Sequence, residues 1–173
     1  MTYSLTTDEL ANAELTCGDR VLLSGVVYTA RDAAHKKIKA LIAENKPLPF
    51  EIQGAIIYYA GPTPAKPGHA VGSCGPTTSA RMDSFAPELY DLGLCATIGK
   101  GERSQNVIDA IVRNGAVYLC AVGGAGALIS KHITSAEEIA FAELGCESVK
   151  RMVVKDLPLT VAVDRNGKNI FAR

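Results

Sequence analysis

With 173 residues, 47% of them hydrophobic, the chain carries enough apolar material for one domain spanning residues 1–173, with a core that needs neither metal nor disulfide. Eighteen basic side chains balance eighteen acidic ones, which excludes the electrostatic footprint of a nucleic-acid binder or of a protein drawn to an anionic membrane surface. No apolar run reaches the roughly 20 residues a bilayer span requires, and MTYSLTTDEL lacks the basic and apolar regions of a secretory signal, so a cytoplasmic location is expected.

After this polar start, DRVLLSGVVYTA (residues 19–30) is β-branched and apolar and reads as a strand. RDAAHKKIKALIAEN then sets Ala34, Ile38, Leu41 and Ile42 at helical spacing and stops before Pro47. GAIIYYAG (54–61) is a short buried strand closed by Gly61-Pro62, and the proline- and glycine-rich stretch 63–76 is irregular. From Thr77 the chain reads as a helix entered at Pro76, with a second start near Ser84 to Pro87. LCATIGKG (94–101) is a strand ending in a glycine turn, and the helix after it runs from Ser104 to Asn114, with Gly115 as its C-terminal cap. AVYLCAVGG is a further strand and AGALISKHI a short helix. TSAEEIAFAELG opens on Thr134-x-x-Glu137, a capping-box pattern that predicts a helix ending at Gly145. The tail 148–171 alternates as strand, with Asn166-Gly167 as a hairpin turn. Strands alternating with helices, then pairing with one another, predict a three-layer α/β domain with a mixed sheet.

The cysteines Cys17, Cys74, Cys95, Cys120 and Cys146 form no C-x-x-C pair, and His35, His69 and His132 are equally scattered, so no metal or cluster site is spelled out. Cys95 and Cys120 sit in apolar runs and read as small hydrophobes.

The chemistry concentrates elsewhere. In CGPTTSAR, a helix entered at Pro76 would leave the N–H groups of Thr77, Thr78 and Ser79 as free donors for a carboxylate or phosphate, with Thr77 and Arg81 on one face. Lys100 stands between two glycines at the end of a buried strand, where ligands of α/β sheets bind, though TIGKG is not a Walker A loop. Arg31, Asp32 and His35 lie at a strand-to-helix junction, where Arg31 could meet a carboxylate bidentately, Asp32 could cap the helix and His35 could stand exposed. Gly124-Ala125-Gly126 lacks the third glycine of a dinucleotide fingerprint, and packing of helix against sheet accounts for its small residues. Read from residues alone, the chain offers cations and hydroxyls for a small dicarboxylate but no general base and no metal ligand set. A non-catalytic anion-binding module stays open beside an enzyme, and a nucleotide-dependent oxidoreductase is the weaker alternative.

The strings SGVVYTARDAAHKK, IIYYAGPTPAKPGHAVGSCGPTTSARMD, TIGKG and VGGAGALI, followed in order by FAELGCESVKRMVVKDLPLTVAVDRNGKNIF, resemble the C-terminal catalytic region of iron–sulfur class I fumarases. They are equally similar to the β subunits of two-subunit fumarases and L-tartrate dehydratases. The resemblance implies a swivelling β/β/α domain working against a larger, cluster-bearing α subunit in a hetero-oligomer of αβ pairs. It implies that the [4Fe-4S] cluster sits on that α subunit and that this chain binds none. The implied reaction is reversible anti addition of water across the double bond of a four-carbon dicarboxylate, with iron acting as Lewis acid on the leaving hydroxyl. It further implies Thr77 as catalytic residue, with Arg31, Thr77, Arg81 and Lys100 binding substrate and Asp32, His35, Thr78 and Asp83 supporting them. Fumarate hydration and tartrate dehydration both fit these strings.

Overall fold

The computed structural model describes residues 1–122 and 125–173. Seven strands form one mixed sheet: β1 (Thr2–Thr6), β2 (Arg20–Thr29), β3 (Ile56–Tyr58), β4 (Ala96–Gly99), β5 (Val117–Cys120), β6 (Ile133–Ala140) and β7 (Val149–Val163). Strands β1 to β5 run parallel in sequential order. The 15-residue β7 then pairs antiparallel with β5, with β6 and again with β2, so that β2-β3-β4-β5-β7 closes into a ring.

The period-two pattern of these strands separates two cores. Ile56, Tyr58, Ala96, Ile98, Val117 and Leu119 point into the ring beside Val21, Leu23 and Val27 of β2. Ile57, Tyr59 and Tyr118 point outward, under the helices α2 (Asp32–Ala43), α3 (Ala86–Asp91) and α4 (Gln105–Asn114). Two curved faces of the closed sheet and one helical layer fit the three-layer α/β domain with a mixed sheet expected from the strand and helix pattern, and the β/β/α order that the resemblance implies. The phase of β7 shifts from Met152 and Val154 to Leu157, Leu159 and Val161, and Asp156 between them is left-handed at φ 49°. On the partner strand the register shifts between Leu23 and Gly25, and Ser24 Oγ accepts the Asp156 N–H at 2.9 Å. This bulge lets one long strand bend while keeping its apolar side inward. Gly25 is glycine because a Cβ there would collide with the Thr7 side chain, and its φ of 131° disfavours any other residue.

Two segments differ from expectation. Residues 134–145 are not a helix: Ile133–Ala140 is β6, an edge strand, followed by a 3₁₀ segment Ala142–Glu147. Cross-strand pairing overrides the local pattern, because β7 sets Arg151 opposite Glu137 and Lys150 opposite Glu138, and the Thr134 hydroxyl donates to the Val153 carbonyl at 3.2 Å. A capping box does occur, at the other end of the chain. Glu9 N–H donates to Thr6 Oγ1 and Thr6 N–H to Glu9 Oε2, opening the four-residue α1 (Thr7–Leu10) directly after β1, which the polar composition of the first residues concealed. The tail turns as expected, with Gly167 at φ 83° and Val163 paired antiparallel to Asn169. Among the described residues, no helix is long and apolar enough to cross a membrane.

Candidate functional site

The four parallel strands β2 to β5 deliver their C-terminal ends to one edge, and the segments leaving that edge carry the candidates. Arg31 and Asp32 follow β2, the long segment 59–78 follows β3, and Lys100 follows β4. The base of the long segment is closed where Thr77 N–H donates to the Tyr59 carbonyl at 2.7 Å, and its wall is pinned where the buried Tyr58 hydroxyl donates to the Cys74 carbonyl at 2.6 Å. Thr78 pairs with Lys100 as a parallel bridge, with Ser79 N–H donating to the Lys100 carbonyl at 2.9 Å. The backbone just after Thr77 is thereby held against Lys100.

This overturns the expected helix at Thr77. The N–H groups of Thr77 and Ser79 are already bonded to backbone carbonyls, and only a single 3₁₀ turn, Ser79–Met82, follows. Pro76 therefore opens no helix, Thr77 and Arg81 share no helical face, and the N–H groups of Thr77 and Ser79 are not free to hold an anion. What Thr77 can offer a ligand is its hydroxyl, in a half-buried position. The glycine before Lys100 is required by this packing, because a Cβ on Gly99 would overlap Ser79 Oγ and stand 2.9 Å from the Tyr59 ring.

Arg81 projects from the 3₁₀ turn toward the start of α2, where its Nε (3.1 Å) and Nη2 (3.0 Å) both meet Asp32 Oδ2. Asp32 makes no side-chain cap of α2; it ties Arg81 to that helix instead. Arg31 lies beside Gly61, whose added Cβ would be 3.1 Å from the guanidinium Nη1, and it faces Glu147 with Nε 4.0 Å from Oε1, too long for a hydrogen bond. Arg31 Nε, Glu147 Oε1, Asp32 Oδ1 and His35 Nε2 are buried polar atoms with no partner among the described residues. Buried polar groups are nearly always paired, so this corner has bonding capacity to offer a ligand. The groove bounded by Pro62, Thr63, Val71, Cys146 and Lys150 takes in none of the candidates.

His35 is not exposed but buried, between the rings of Tyr59 and Phe85 at 5.5 Å each. Its Nδ1 lies 2.8 Å from the Arg31 carbonyl, which can only accept, so Nδ1 carries the proton and Nε2 is bare. Burial, despite that hydrogen bond, lowers its pKa from 6.5 to about 4. As pH falls below 6.5 the unfolded chain takes up a proton that the folded chain refuses until about pH 4, so stability is complete above 6.5 and lost on acidification. Between pH 7 and pH 5 this group alone is expected to remove about 2 kcal/mol of folding free energy. In His35→Asn, whose amide can still donate to the Arg31 carbonyl, urea unfolding at the two pH values should show that loss abolished.

Asp83 faces the core. Its Oδ1 accepts Arg103 Nε and its Oδ2 accepts Ser104 N–H at the start of α4, each at 2.8 Å. Arg103 was not legible as important in KGERS, yet its side chain is wholly buried, bonded to Tyr59 and Thr97 hydroxyls and sandwiched between the Tyr59 and Tyr118 rings. Burial opposes its charge, but Tyr59, Tyr90 and Asp83 more than offset that, and the guanidinium stays protonated. Glu147, the counter-charge of Arg31, carries no sequence signal either; it closes the 3₁₀ segment, two residues past the Gly145 where the sequence predicts a helix end.

Gly126, at the start of the short helix α5 (Gly126–Ser130), packs on the wall of the long segment rather than on the sheet. Its carbonyl accepts Cys74 N–H at 3.2 Å, and a Cβ on it would strike Ser73 Oγ. Gly124 lies outside the described residues. All five cysteines are free, and among the described residues no three of His, Cys, Asp and Glu converge as metal ligands, so this chain's own donors do not fit an iron–sulfur cluster.

A sequence model of the family described as Fumarase C-terminus matches residues 2–173. The chain belongs to that family. It is 41% identical over 159 residues to fumarate hydratase 2 of Leishmania major, covering 90% of this chain and 28% of that protein. To the anaerobic class I fumarate hydratase of Escherichia coli K12 it is 40% identical over 154 residues, covering 88% of this chain and 28% of that enzyme. A protein of Methanocaldococcus jannaschii provisionally named L(+)-tartrate dehydratase subunit beta is 39% identical over 164 residues, with 91% of this chain and 84% of that protein covered. The chain thus spans about a quarter of the length of the fumarate hydratases it matches and most of the β-subunit relative.

Proposed function

We propose that this family member is the β subunit of an iron–sulfur fumarate hydratase, acting in the cytoplasm as one domain and completing its active site only with an α subunit that carries the [4Fe-4S] cluster. The observation that carries the reading is that separate segments bring three cationic residues and a hydroxyl residue to one sheet edge: Thr78, the neighbour of Thr77, is bridged to Lys100, and Arg81 is tethered to the start of α2 beside Arg31. Fumarate presents two carboxylates and an alkene. Arg31, Arg81 and Lys100 hold the carboxylates through charge-assisted hydrogen bonds. In hydration the oxygen of water bonds to one alkene carbon and gives up one of its protons while the π pair takes a proton at the other carbon. In the reverse direction the carbon-bound proton leaves, its electron pair re-forms the double bond and the C–O bond breaks, so that the hydroxyl departs with a proton as water. The Thr77 hydroxyl is the relay for the carbon-bound proton. A threonine hydroxyl is too weak a base alone and needs a carboxylate beside it, which the α subunit supplies. No residue of this chain is asked to hold the cluster, and its assigned chemistry ends at the carboxylates and the carbon-bound proton.

The 39% identity to the tartrate dehydratase β-subunit relative supports a second reading, the same half-site turned to a hydroxylated dicarboxylate. Anaerobic purification of the chain with its native companions, followed by fumarate and L-tartrate assays on the complex and on the isolated chain, separates the two. Fumarate hydration only in the complex is the expected result. Tartrate turnover alone would move the assignment to the dehydratase, and binding of dicarboxylates with no turnover in any form would leave a non-catalytic module.

A further inference from the structure

We infer that Tyr118 is a positioning residue whose hydroxyl fixes Thr77 and Lys100 relative to one another, an inference that rests on the reading of those two residues given above. Tyr118 lies mid-strand in β5 and points outward beneath the helical layer. Its hydroxyl is 2.8 Å from the Gly101 carbonyl and 2.7 Å from Ser79 Oγ. A carbonyl can only accept, so the phenol donates to Gly101 and accepts the Ser79 hydroxyl proton, and both groups are satisfied at once. Gly101 follows Lys100 directly and Ser79 is two residues beyond Thr77, so one oxygen joins the two segments behind the side chains that would meet substrate.

Everything around that oxygen is constrained. The Tyr118 ring is fixed by the Arg103 guanidinium, 4.9 Å from its centroid. Ser79 is fully buried and fits only because Gly99 has no Cβ. Burial holds the phenol protonated well above the usual tyrosine range, so its donor persists at any pH the protein would meet. The backbone link between Ser79 and Lys100 supplies one tether, and the Tyr118 hydroxyl supplies a second that sets the turn at Gly101. Reacting groups displaced by about 1 Å can lose 100-fold in rate, which makes a buried second tether consequential.

Tyr118→Phe and Ser79→Ala, each made in the chain purified with its α subunit, test this. Tyr118→Phe is expected to lower kcat about 10-fold or more with a much smaller change in KM, and the double variant to be no worse than the poorer single one. Amide hydrogen exchange at Ser79 should quicken roughly fivefold in Tyr118→Phe while α4 amides keep their wild-type protection. An active wild-type complex whose Tyr118→Phe variant keeps kcat within a factor of about two overturns the inference. If the wild-type complex lacks hydratase activity, the functional reading fails by itself, and the exchange result still decides the tether: unchanged Ser79 protection overturns it.

Discussion

Thr77→Ala in the assembled enzyme is expected to lower turnover by about 10²- to 10⁴-fold, the range removed with a general acid–base group, while the apparent affinity for substrate stays within the same order of magnitude. The structure makes this substitution clean. The Thr77 backbone N–H is bonded to the Tyr59 carbonyl and the neighbouring Thr78 is bridged to Lys100, so losing the side chain leaves the segment in place. The change then reports on the hydroxyl alone. Thr77→Ser retains the hydroxyl and should recover most of the rate. A loss confined to KM would demote Thr77 to a ligand, and equal activity of the serine and alanine variants would remove the hydroxyl from the proton path.

The sequence revealed the strands and the edge they share more readily than the contacts made there. Ile56 to Tyr59 and Val117 to Leu119 alternate between two buried faces, so burial forces them into strands whatever surrounds them. Gly115 closes α4 in the left-handed conformation that glycine adopts most readily. β6 resembles a helix in sequence because it is an edge strand with one paired side: its exposed Glu137 and Glu138 look helical until Arg151 and Lys150 are brought opposite. At the site, residue types point to Arg31, Thr77, Arg81 and Lys100 as candidates, but proline at the mouth of GPTTSAR suggests a helix where Tyr59 and Lys100 in fact claim the Thr77 and Ser79 backbone donors. Those acceptors stand just past the ends of β3 and β4, which adjoin this segment only in the folded sheet, and local spacing carries no trace of them. The Asp32–Arg81 pair and the Arg103 network were hidden for the same reason, as contacts between segments that meet only once the ring has closed.

Arg103→Met should be the most damaging substitution for stability, costing about 3–5 kcal/mol, as expected when one partner of a buried ion pair is removed. At this chain length about 1 kcal/mol moves the melting temperature by about 2–4 °C, so thermal unfolding reads the effect easily. Methionine fills much of the arginine's volume, and the loss therefore comes from what it strands: the Asp83 carboxylate and the Tyr59 and Thr97 hydroxyls that Arg103 bonds. Adding Asp83→Asn separates charge from packing. The asparagine oxygen can still accept Ser104 N–H and cap α4 without leaving a charge unmatched, so Arg103→Met with Asp83→Asn is expected to be more stable than Arg103→Met alone. If the double variant is the less stable, the ion pair is not what Arg103 contributes, and its role is packing between the Tyr59 and Tyr118 rings. Tyr59 also holds Thr77 through its carbonyl. The same core arginine that supports the fold therefore supports the strand end from which the proposed catalytic hydroxyl is presented.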